Sequence, residues 1–163
     1  TRKIIENIKT NFPDLILRTS LITGFPQETE QDFDELKEFV RENLFEHIGI
    51  FEYSDQKDAS SFKLKNKVHG NIAKERKQII ANIQFDNVTK NNLKKVGQSF
   101  EVLIESSDKN KSYARAYFQA PEIDNNFIIT VPQNLKPGDF KKITVTKTKD
   151  YDLLAKECTN LNV

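Results

Sequence analysis

The hydrophobic pattern of this 163-residue chain changes at about residue 94, and this change limits the possible folds more than any other feature. Before it, a continuous apolar and β-branched run from Leu15 to Thr23 precedes a segment of helical spacing and a second short run, Ile48 to Tyr53. After it, short alternating segments are separated by turn residues. The first pattern is typical of α/β structure and the second of an all-β domain. We therefore predict two architectures in one chain.

The first part predicts a strand–helix–strand unit preceded by a short helix over residues 1–10. The run from Leu15 to Thr23 has the composition of a strand buried on both faces. Thr29 offers a helix N-cap, and apolar residues follow it at helical spacing. A strand, a helix and a strand within about 40 residues form a βαβ unit, whose two strands are parallel.

The second part predicts a small β-barrel. A long helix over residues 68–93, with a narrow apolar stripe that includes Ile72 and Ile80, leads into it. Turn signals then divide five predicted strands, and five short strands favour closure into a barrel. The predicted strands are Ser99–Glu105, Ser112–Gln119, Phe127–Val131, Lys141–Thr148 and Tyr151–Glu157.

The near-neutral net charge of +1 hides a change of sign along the chain. Residues 1–60 carry a net charge of −6, residues 61–93 carry +5 and residues 94–163 carry +2. The basic segment is interpreted as a solvated connector, with a functional basic face as the alternative. The acidic residues near Thr29 are expected to form a solvated face that favours the helix N-terminus, and they are Glu28, Glu30, Asp32, Asp34, Glu35 and Glu38.

Several classes of function are excluded by what the sequence lacks. The single cysteine, Cys158, cannot form a disulfide framework, an iron–sulfur site or a four-ligand zinc site within this chain. Neither His47 nor His69 has a cysteine or carboxylate at metal-ligand spacing, so no metal site and no catalytic set is predicted. No apolar run reaches the length of about 18 residues that a membrane span needs. Because methionine is absent even at position 1, the chain is expected to be a segment of a longer polypeptide.

Two places remain where the residues would suit binding. Ligands of parallel sheets bind beyond the carboxyl ends of the strands, here Gly24-Phe25-Pro26 and Tyr53-Ser54. A purely structural turn is the favoured interpretation of the glycine and proline, and ligand binding is the alternative. In the barrel, Tyr113, Arg115 and Tyr117 share strand parity and so point to one face. With the neighbouring Phe118 they are interpreted as packing or protein-contact residues, and stacking on nucleic acid is the alternative.

The ordered combination of four segments resembles the C-terminal third of radical S-adenosylmethionine methylthiotransferases. Leu17 to Phe33 is similar to the fifth barrel strand and following turn of that family, and Phe51 to Ser54 to the end of its sixth strand. Val96 to Glu105 resembles the start of its TRAM domain. The stretch from Ala120 to Asp124 is most similar to the RimO branch, which modifies a ribosomal protein.

The resemblance implies an α/β plus all-β chain: the last strands and helices of a radical SAM barrel (1–67), a linking helix (68–93) and a five-stranded antiparallel TRAM barrel (94–163). It implies a cytoplasmic parent enzyme that adds a methylthio group to the β-carbon of an aspartate in a small-subunit ribosomal protein. That enzyme uses S-adenosylmethionine and two 4Fe-4S clusters, whose cysteines lie in parts absent here. This chain alone is expected to bind none of these cofactors, to be inactive and to associate with itself through the truncated barrel.

Site residues are carried over by position. The resemblance places Gly24, Phe25 and Pro26 beside S-adenosylmethionine, and strand parity adds Arg18 and Ser20 on the same face, with Tyr53 at the other strand end. No catalytic residue is assigned within the chain. The residues assigned to substrate docking on the TRAM barrel are Tyr113, Arg115, Tyr117, Glu122 and Asp124.

The chain also departs from the family pattern. Gln27 replaces the usual glycine after Gly-Phe-Pro, so this turn is expected to avoid positive φ or to be strained there. Gln119 and Asn125 replace an aspartate and a glycine, and Asn125 is expected to tolerate a left-handed turn. The alternatives are the C-terminal part of a tRNA methylthiotransferase, an autonomous RNA-binding TRAM module, and an interaction domain without a ligand.

Overall fold

The computed structural model describes residues 2–130 and 135–158. The chain forms two compact units, Thr1–Val88 and Thr89–Val163, which are called the first and second unit below. The boundary between them falls within the long helix. The finer division into 1–67, 68–93 and 94–163 stays a prediction.

The first unit contains the predicted βαβ arrangement. Its two strands pair in parallel, from Arg18 opposite His47 to Thr23 opposite Glu52, which confirms the parallel pair. Both strands begin or end within a few residues of the predicted runs. The elements are α1 (Arg2–Asn11), β1 (Arg18–Thr23), α2 (Glu30–Arg41), β2 (His47–Glu52), a 3-10 turn (Ser60–Lys63) and the first part of α3 (Gly70–Lys95).

Only one face of the β1–β2 sheet is covered by helices within the described residues. Phe33 and Val40 of α2 and Ile80 of α3 are fully buried, and the sheet contributes Leu21, Ile48 and Ile50 to this core. On the opposite face the side chains of Ile22 and Phe51 are about half exposed, at 52% and 55%. The expectation of a strand buried on both faces is therefore wrong for this chain, because no second layer covers that face in the part described.

Helix α2 begins where the sequence predicts. The hydroxyl of Thr29 accepts the backbone N–H of Asp32 at 3.1 Å, and the Asp32 carboxylate accepts the backbone N–H of Thr29 at 2.8 Å. These reciprocal bonds form a capping box, which satisfies two of the unpaired donors at the helix start. Hydrogen bonds from the Thr29 hydroxyl and backbone lower the pKa of Asp32.

The buried face of α3 is more polar than the predicted apolar stripe. Ala73 and Ile80 are buried on it, but so are Arg76, Gln84 and Asn87, whereas Ile72 is 42% exposed. The amide of Asn87 donates to the carbonyl of Val40 at 2.7 Å, so this side chain ties α3 to the end of α2. The interpretation of the basic segment as a solvated connector is thus wrong at Arg76, which faces the interior of the first unit.

The second unit is a closed five-stranded barrel in the order β3-β4-β5-β7-β6, as predicted. All neighbouring strands are antiparallel except β5 and β7, which run parallel. A ring with an odd number of strands cannot alternate direction all the way round, so the predicted antiparallel barrel closes through one parallel pair. The strands are β3 (Ser99–Ser107), β4 (Ser112–Ala116), β5 (Phe127–Ile129), β6 (Phe140–Lys149) and β7 (Asp152–Glu157).

The barrel interior is filled by buried side chains from all five strands. The ring of Phe118 lies 5.5 Å from that of Phe100 and 6.0 Å from that of Phe127, so Phe118 is a core residue, which agrees with packing and not with stacking on nucleic acid. Strand β4 ends at Ala116, before the predicted Gln119, and the predicted end of β5 at Val131 lies outside the described residues. The fully buried side chains include Val102, Ile104, Ala114, Phe127, Ile129, Ile143, Val145 and Leu153.

No helix in residues 2–130 and 135–158 has the length and apolar character needed to cross a membrane.

Candidate cofactor-binding turn and docking surface

The turn after β1 is held against α3 by a close approach at Gly24. Gly24 has a φ of +76°, and a Cβ placed on it would lie 2.3 Å from the Cβ of Ala73. Beside it, the buried hydroxyl of Thr23 donates to the carbonyl of Ala73 at 3.0 Å. Glycine is therefore required here by backbone conformation and by helix packing. This supports a structural role of Gly24 in the turn, which was one of the two explanations considered from the sequence.

A buried ion pair fixes the same turn from the other side. The N–H of Gly24 donates to both carboxylate oxygens of Glu28 at 3.1 Å. A guanidinium nitrogen of Arg76 lies 2.5 Å from Oε1 of that carboxylate, and the two side chains are only 6% and 10% exposed. The expectation that Glu28 belongs to a solvated face is thus wrong, because its carboxylate turns inward to meet Gly24 and Arg76.

The charge of Arg76 is retained in spite of its burial. Burial alone would lower the pKa of the guanidinium, but hydrogen bonds and Coulombic attraction from Glu28 and Glu30 outweigh it and raise the pKa. Glu30 contacts the second terminal nitrogen of the guanidinium and is 79% exposed. The guanidinium also lies 5.1 Å from the centre of the Phe33 ring. Its Nε is buried without a partner within the described residues.

The turn continues through a left-handed residue where the family usually has glycine. Gln27 has a φ of +74°, and its N–H donates to the carbonyl of Asn66 at 2.9 Å. A non-glycine residue pays conformational energy in this region. Of the two outcomes expected at this position, the structure shows the strained one. Gln27 has a positive φ although it is not glycine.

Two aromatic rings meet at the carboxyl ends of β1 and β2. The rings of Phe25 and Tyr53 contact edge to face with their centres 5.3 Å apart, and Phe25 is 42% exposed. The backbone N–H of Tyr53 donates to the carbonyl of Thr23 at 2.9 Å, which extends the strand pairing to the turn. The predicted cofactor residues Gly24, Phe25 and Tyr53 are therefore brought together, with Pro26 buried next to them.

A short network anchors the Tyr53 hydroxyl. It donates to the carboxylate of Asp55 at 3.0 Å, and the ammonium of Lys67 pairs with the same carboxylate. The hydrogen bond from Lys67 lowers the pKa of Asp55, and the bond from Tyr53 adds to this effect. The loop after β2 is thus tied back to the segment that precedes α3.

Arg18 and Ser20 lie on the exposed face of the sheet but away from the turn. Their alternation with the partly buried Thr19 and Leu21 gives Arg18, Ser20 and Ile22 one common face. On β2 the neighbouring position is Gly49, where an added Cβ would lie 3.4 Å from the Ser20 hydroxyl. Because a strand rises about 3.3 Å per residue, Arg18 is about 20 Å from Gly24 along the strand. The structure does not bring Arg18 to the turn.

The described residues contain no group of three or more histidine, cysteine or acidic side chains that would hold a metal. The sulfur of Cys158 contacts the hydroxyl of Thr144 at 3.1 Å on the barrel. Iron–sulfur clusters are held by several thiolates, so the described part of this chain does not fit a cluster site.

The predicted docking residues on β4 face outward. Tyr113 and Arg115 alternate with buried residues, which confirms their common parity. Arg115 is engaged with the carboxylate of Glu105 at 2.6 Å, where a bulge interrupts the pairing of β3 and β4. Tyr117 lies beyond the strand in the following turn and is 77% exposed. Tyr117 thus lies one residue beyond the strand on which it was predicted.

The loop after β4 is organised by a buried amide. Gln119 is 3% exposed, accepts the N–H of Ala116 at 2.9 Å and donates to the carbonyl of Asn125. The Asp124 carboxylate accepts the N–H of Ala120 at 2.6 Å and so serves the loop itself. The left-handed residue of this loop is Glu122, with a φ of +62°, so the loop does not use the left-handed conformation that Asn125 is expected to tolerate.

Sequence analysis missed Arg76, Glu28 and Gln119. Arg76 and Glu28 are 48 positions apart, and no local spacing connects them. Gln119 stands out only as a replacement for the family's aspartate. An inward charge on the apolar side of α3 was the one available signal, since Arg76 lies between Ala73 and Ile80 at helical spacing.

Comparison with known proteins identifies the class of the second unit. Residues 96–157 match the family described as TRAM domain, so the five-stranded barrel is a TRAM domain. The chain as a whole is homologous to the C-terminal region of the ribosomal protein uS12 methylthiotransferases RimO. The recognition made from the sequence is thereby confirmed.

Three relatives show the extent of this similarity. The RimO of Aquifex aeolicus is 36% identical over 165 residues, covering 99% of this chain and 38% of the relative. That of Endomicrobium trichonymphae is 42% identical over 158 residues, covering 94% and 36%. That of Thermosipho africanus is 41% identical over 154 residues, covering 94% and 35%. The chain thus spans little more than a third of the length of these relatives.

Proposed function

We propose that this chain is the C-terminal part of a radical S-adenosylmethionine enzyme that methylthiolates an aspartate of ribosomal protein uS12. In this proposal the first unit contributes one wall of the S-adenosylmethionine site, and the TRAM domain docks the ribosomal protein. The observation that carries it is the Phe25–Tyr53 aromatic pair at the carboxyl ends of two parallel strands, in a chain homologous to the uS12 methylthiotransferases.

The residues at this turn fit S-adenosylmethionine chemically. The partly exposed ring of Phe25 suits contact with the adenine base or with the positively charged sulfonium. Tyr53 supports that ring, and Asp55 holds the Tyr53 hydroxyl in place. Gly24 and Pro26 set the backbone on which Phe25 is carried. Ser20, on the exposed sheet face, is the next candidate contact, whereas Arg18 is the most distant of the set.

The work of these residues is binding, orientation and exclusion of water. When bound, S-adenosylmethionine supplies the radical chemistry of the family, together with clusters that the longer enzyme holds. The apolar side chains of Ile22 and Phe51 keep the adjoining sheet face dry once a further layer covers it. The chain on its own is proposed to be inactive, and its uncovered sheet face is proposed to make it associate with itself.

The docking proposal rests on the TRAM loop from Tyr117 to Asp124. Tyr117 and Ile123 are 77% and 79% exposed, and the exposed Glu122 is the residue before Ile123. Gln119 holds this loop rigidly, which lowers the entropy cost of binding. Exposed aromatic and aliphatic side chains beside a carboxylate suit a basic protein surface with apolar contacts.

RNA binding by the TRAM domain is the second candidate, and a specific observation favours it. Four exposed lysines lie on β6 and β7, and their charges suit phosphate contacts. Tyr113 and Tyr117 are available for stacking on the same unit. The lysines are Lys142, Lys147, Lys149 and Lys156.

The affinity of the longer enzyme for S-adenosylmethionine tests the proposed site. Phe25→Ala is expected to raise the Kd about tenfold, because loss of a ring contact worth about 1.4 kcal/mol changes Kd by that factor. Phe12→Ala is the matched control, since Phe12 is 63% exposed and lies in the segment between α1 and β1. Equal affinities for the enzyme and Phe25→Ala would contradict the site.

A further inference from the structure

Burial of the Glu28–Arg76 ion pair carries a free-energy cost that the attraction between its charges does not clearly outweigh. Each charge loses favourable hydration when it is buried, and the attraction between the two only approximately offsets this loss. Both side chains nevertheless lie at most 10% exposed. The Nε of Arg76 has no partner within the described residues, which adds to the cost. Net stability therefore does not account for the pair, and the geometry that it imposes on the turn is the property to consider.

The geometry imposed by the pair converges on the turn. Arg76 contacts the carboxylate of Glu28 and also donates to its backbone carbonyl at 3.3 Å. The carboxylate in turn accepts the N–H of Gly24, and the N–H of Glu28 donates to the carbonyl of Phe25 at 2.9 Å. A chain of hydrogen bonds thus runs from α3 through Glu28 to the N–H of Gly24 and the carbonyl of Phe25, the two ends of this dipeptide.

We infer that Arg76 is a positioning residue for the S-adenosylmethionine site, acting through Glu28 on the backbone of the Gly24–Phe25–Pro26 turn. Arg76 itself does not touch the ligand in this arrangement. It holds the Glu28 carboxylate where both oxygens face the Gly24 N–H, and this sets the direction in which the Phe25 ring leaves the turn. The inference rests on the proposed function, because that function makes Phe25 a ligand contact.

Glu30 provides an internal comparison within the same cluster. It pairs with the same guanidinium as Glu28, but its side chain is 79% exposed, and no hydrogen bond to Gly24 is formed by it in the described structure. If the ion pair mattered only for charge balance around Arg76, loss of either carboxylate would have a similar effect. If the contact with Gly24 matters, only loss of Glu28 disturbs the turn.

The experiment uses the longer enzyme with three variants: Glu28→Gln, Arg76→Met and, as the matched control, Glu30→Gln. Glu28→Gln keeps the side-chain volume but leaves one oxygen to serve both Arg76 and Gly24. Hydrogen–deuterium exchange of the peptide containing residues 18–28 reports on the turn without requiring activity. Equilibrium dialysis with S-adenosylmethionine gives the Kd, and steady-state assays separate KM from kcat.

We expect at least tenfold faster exchange at the turn and at least a fivefold higher Kd and KM for Glu28→Gln and Arg76→Met, with kcat at saturation within twofold. Glu30→Gln is expected to change none of these by more than twofold. If Arg76→Met does not fold, Glu28→Gln alone decides.

Unchanged exchange in Glu28→Gln would overturn the inference, and so would faster exchange with an unchanged Kd. Failure of the unaltered enzyme to bind S-adenosylmethionine would contradict the proposed function instead, while the exchange result would still decide whether the pair holds the turn.

Discussion

Gly24 and Ala73 approach so closely that a Cβ on Gly24 would lie 2.3 Å from the Cβ of Ala73. This contact joins the turn after β1 to the first turns of α3. Because Gly24 also has a φ of +76°, two separate physical reasons require glycine at this position. The turn is therefore part of the packing of the first unit as well as a candidate binding element.

Gly24→Ala is expected to destabilise the first unit by about 2–5 kcal/mol, which combines left-handed strain with overpacking against Ala73. Gly138→Ala is the matched control, because Gly138 has a φ of +93° with nothing within 4 Å of the added Cβ. It should cost only the strain, about 1–2 kcal/mol. Chemical denaturation gives the free energy of unfolding of the first unit in Gly24→Ala and of the second unit in Gly138→Ala. Equal losses in the two variants would argue against the clash with Ala73.

Gln27→Gly is expected to stabilise the first unit by about 0.5–1 kcal/mol, since relief of left-handed strain outweighs the extra backbone entropy of glycine. The N–H of residue 27 keeps its bond to the carbonyl of Asn66 in this variant. Gln27→Ala removes the exposed side chain but keeps the Cβ, so it should not stabilise. Thermal unfolding of both variants checks this, and a gain in Gln27→Ala would point to the side chain instead of the backbone.

The predictable part of this structure is the part encoded by local pattern. The parity of β1, the N-cap at Thr29 and the five barrel strands follow from spacing and side-chain type. The inward turn of Arg76 does not, because its partner Glu28 lies 48 positions away and the pairing depends on how α3 crosses the sheet. Tertiary contacts of this kind leave no trace in local periodicity.

The same limit explains the errors on the barrel. Phe118 has the parity of the buried Ala114 and Ala116, and its ring meets those of Phe100 and Phe127 in the core. The local pattern misses the end of the strand, because β4 stops at Ala116 and not at the predicted Gln119. The turn that follows is fixed by the buried hydrogen bonds of Gln119, which spacing does not reveal.

Thr29→Ala is expected to destabilise α2 by about 1 kcal/mol at neutral pH, because the N-cap bond to Asp32 is lost. The lowered pKa of Asp32 also means that the folded state binds this proton less readily than the unfolded state. The associated stability is present above the ordinary aspartate pKa of about 3.9 and is lost as the pH falls through the lower folded value.

Denaturation of the unaltered chain and Thr29→Ala between neutral pH and about pH 2 tests this linkage, since the window lies around and below the ordinary aspartate pKa. The variant should lose less stability on acidification than the unaltered chain. Asp34→Asn is the control, because Asp34 lies on the same helix and pairs with Lys37 outside the capping box. An identical acid slope in Thr29→Ala would show that the cap does not set the pKa of Asp32.

Gln119→Ala is expected to destabilise the second unit by about 2–4 kcal/mol, because it leaves the buried N–H of Ala116 and the carbonyl of Asn125 without partners. Exchange protection in the loop from Tyr117 to Asp124 should fall with it. Tyr117→Ala should cost less than about 0.5 kcal/mol, since that side chain is largely exposed. A comparable loss in both variants would mean that the loop is not organised by Gln119.

The most direct test of the central claim is the intact mass of uS12 from cells that lack their own uS12 methylthiotransferase and express the longer enzyme containing this chain. We predict that uS12 gains the mass of one methylthio group on an aspartate, and that Phe25→Ala reduces this gain while Phe12→Ala preserves it. Unmodified uS12 together with newly methylthiolated tRNA would contradict the account and assign the chain to the alternative class of methylthiotransferase.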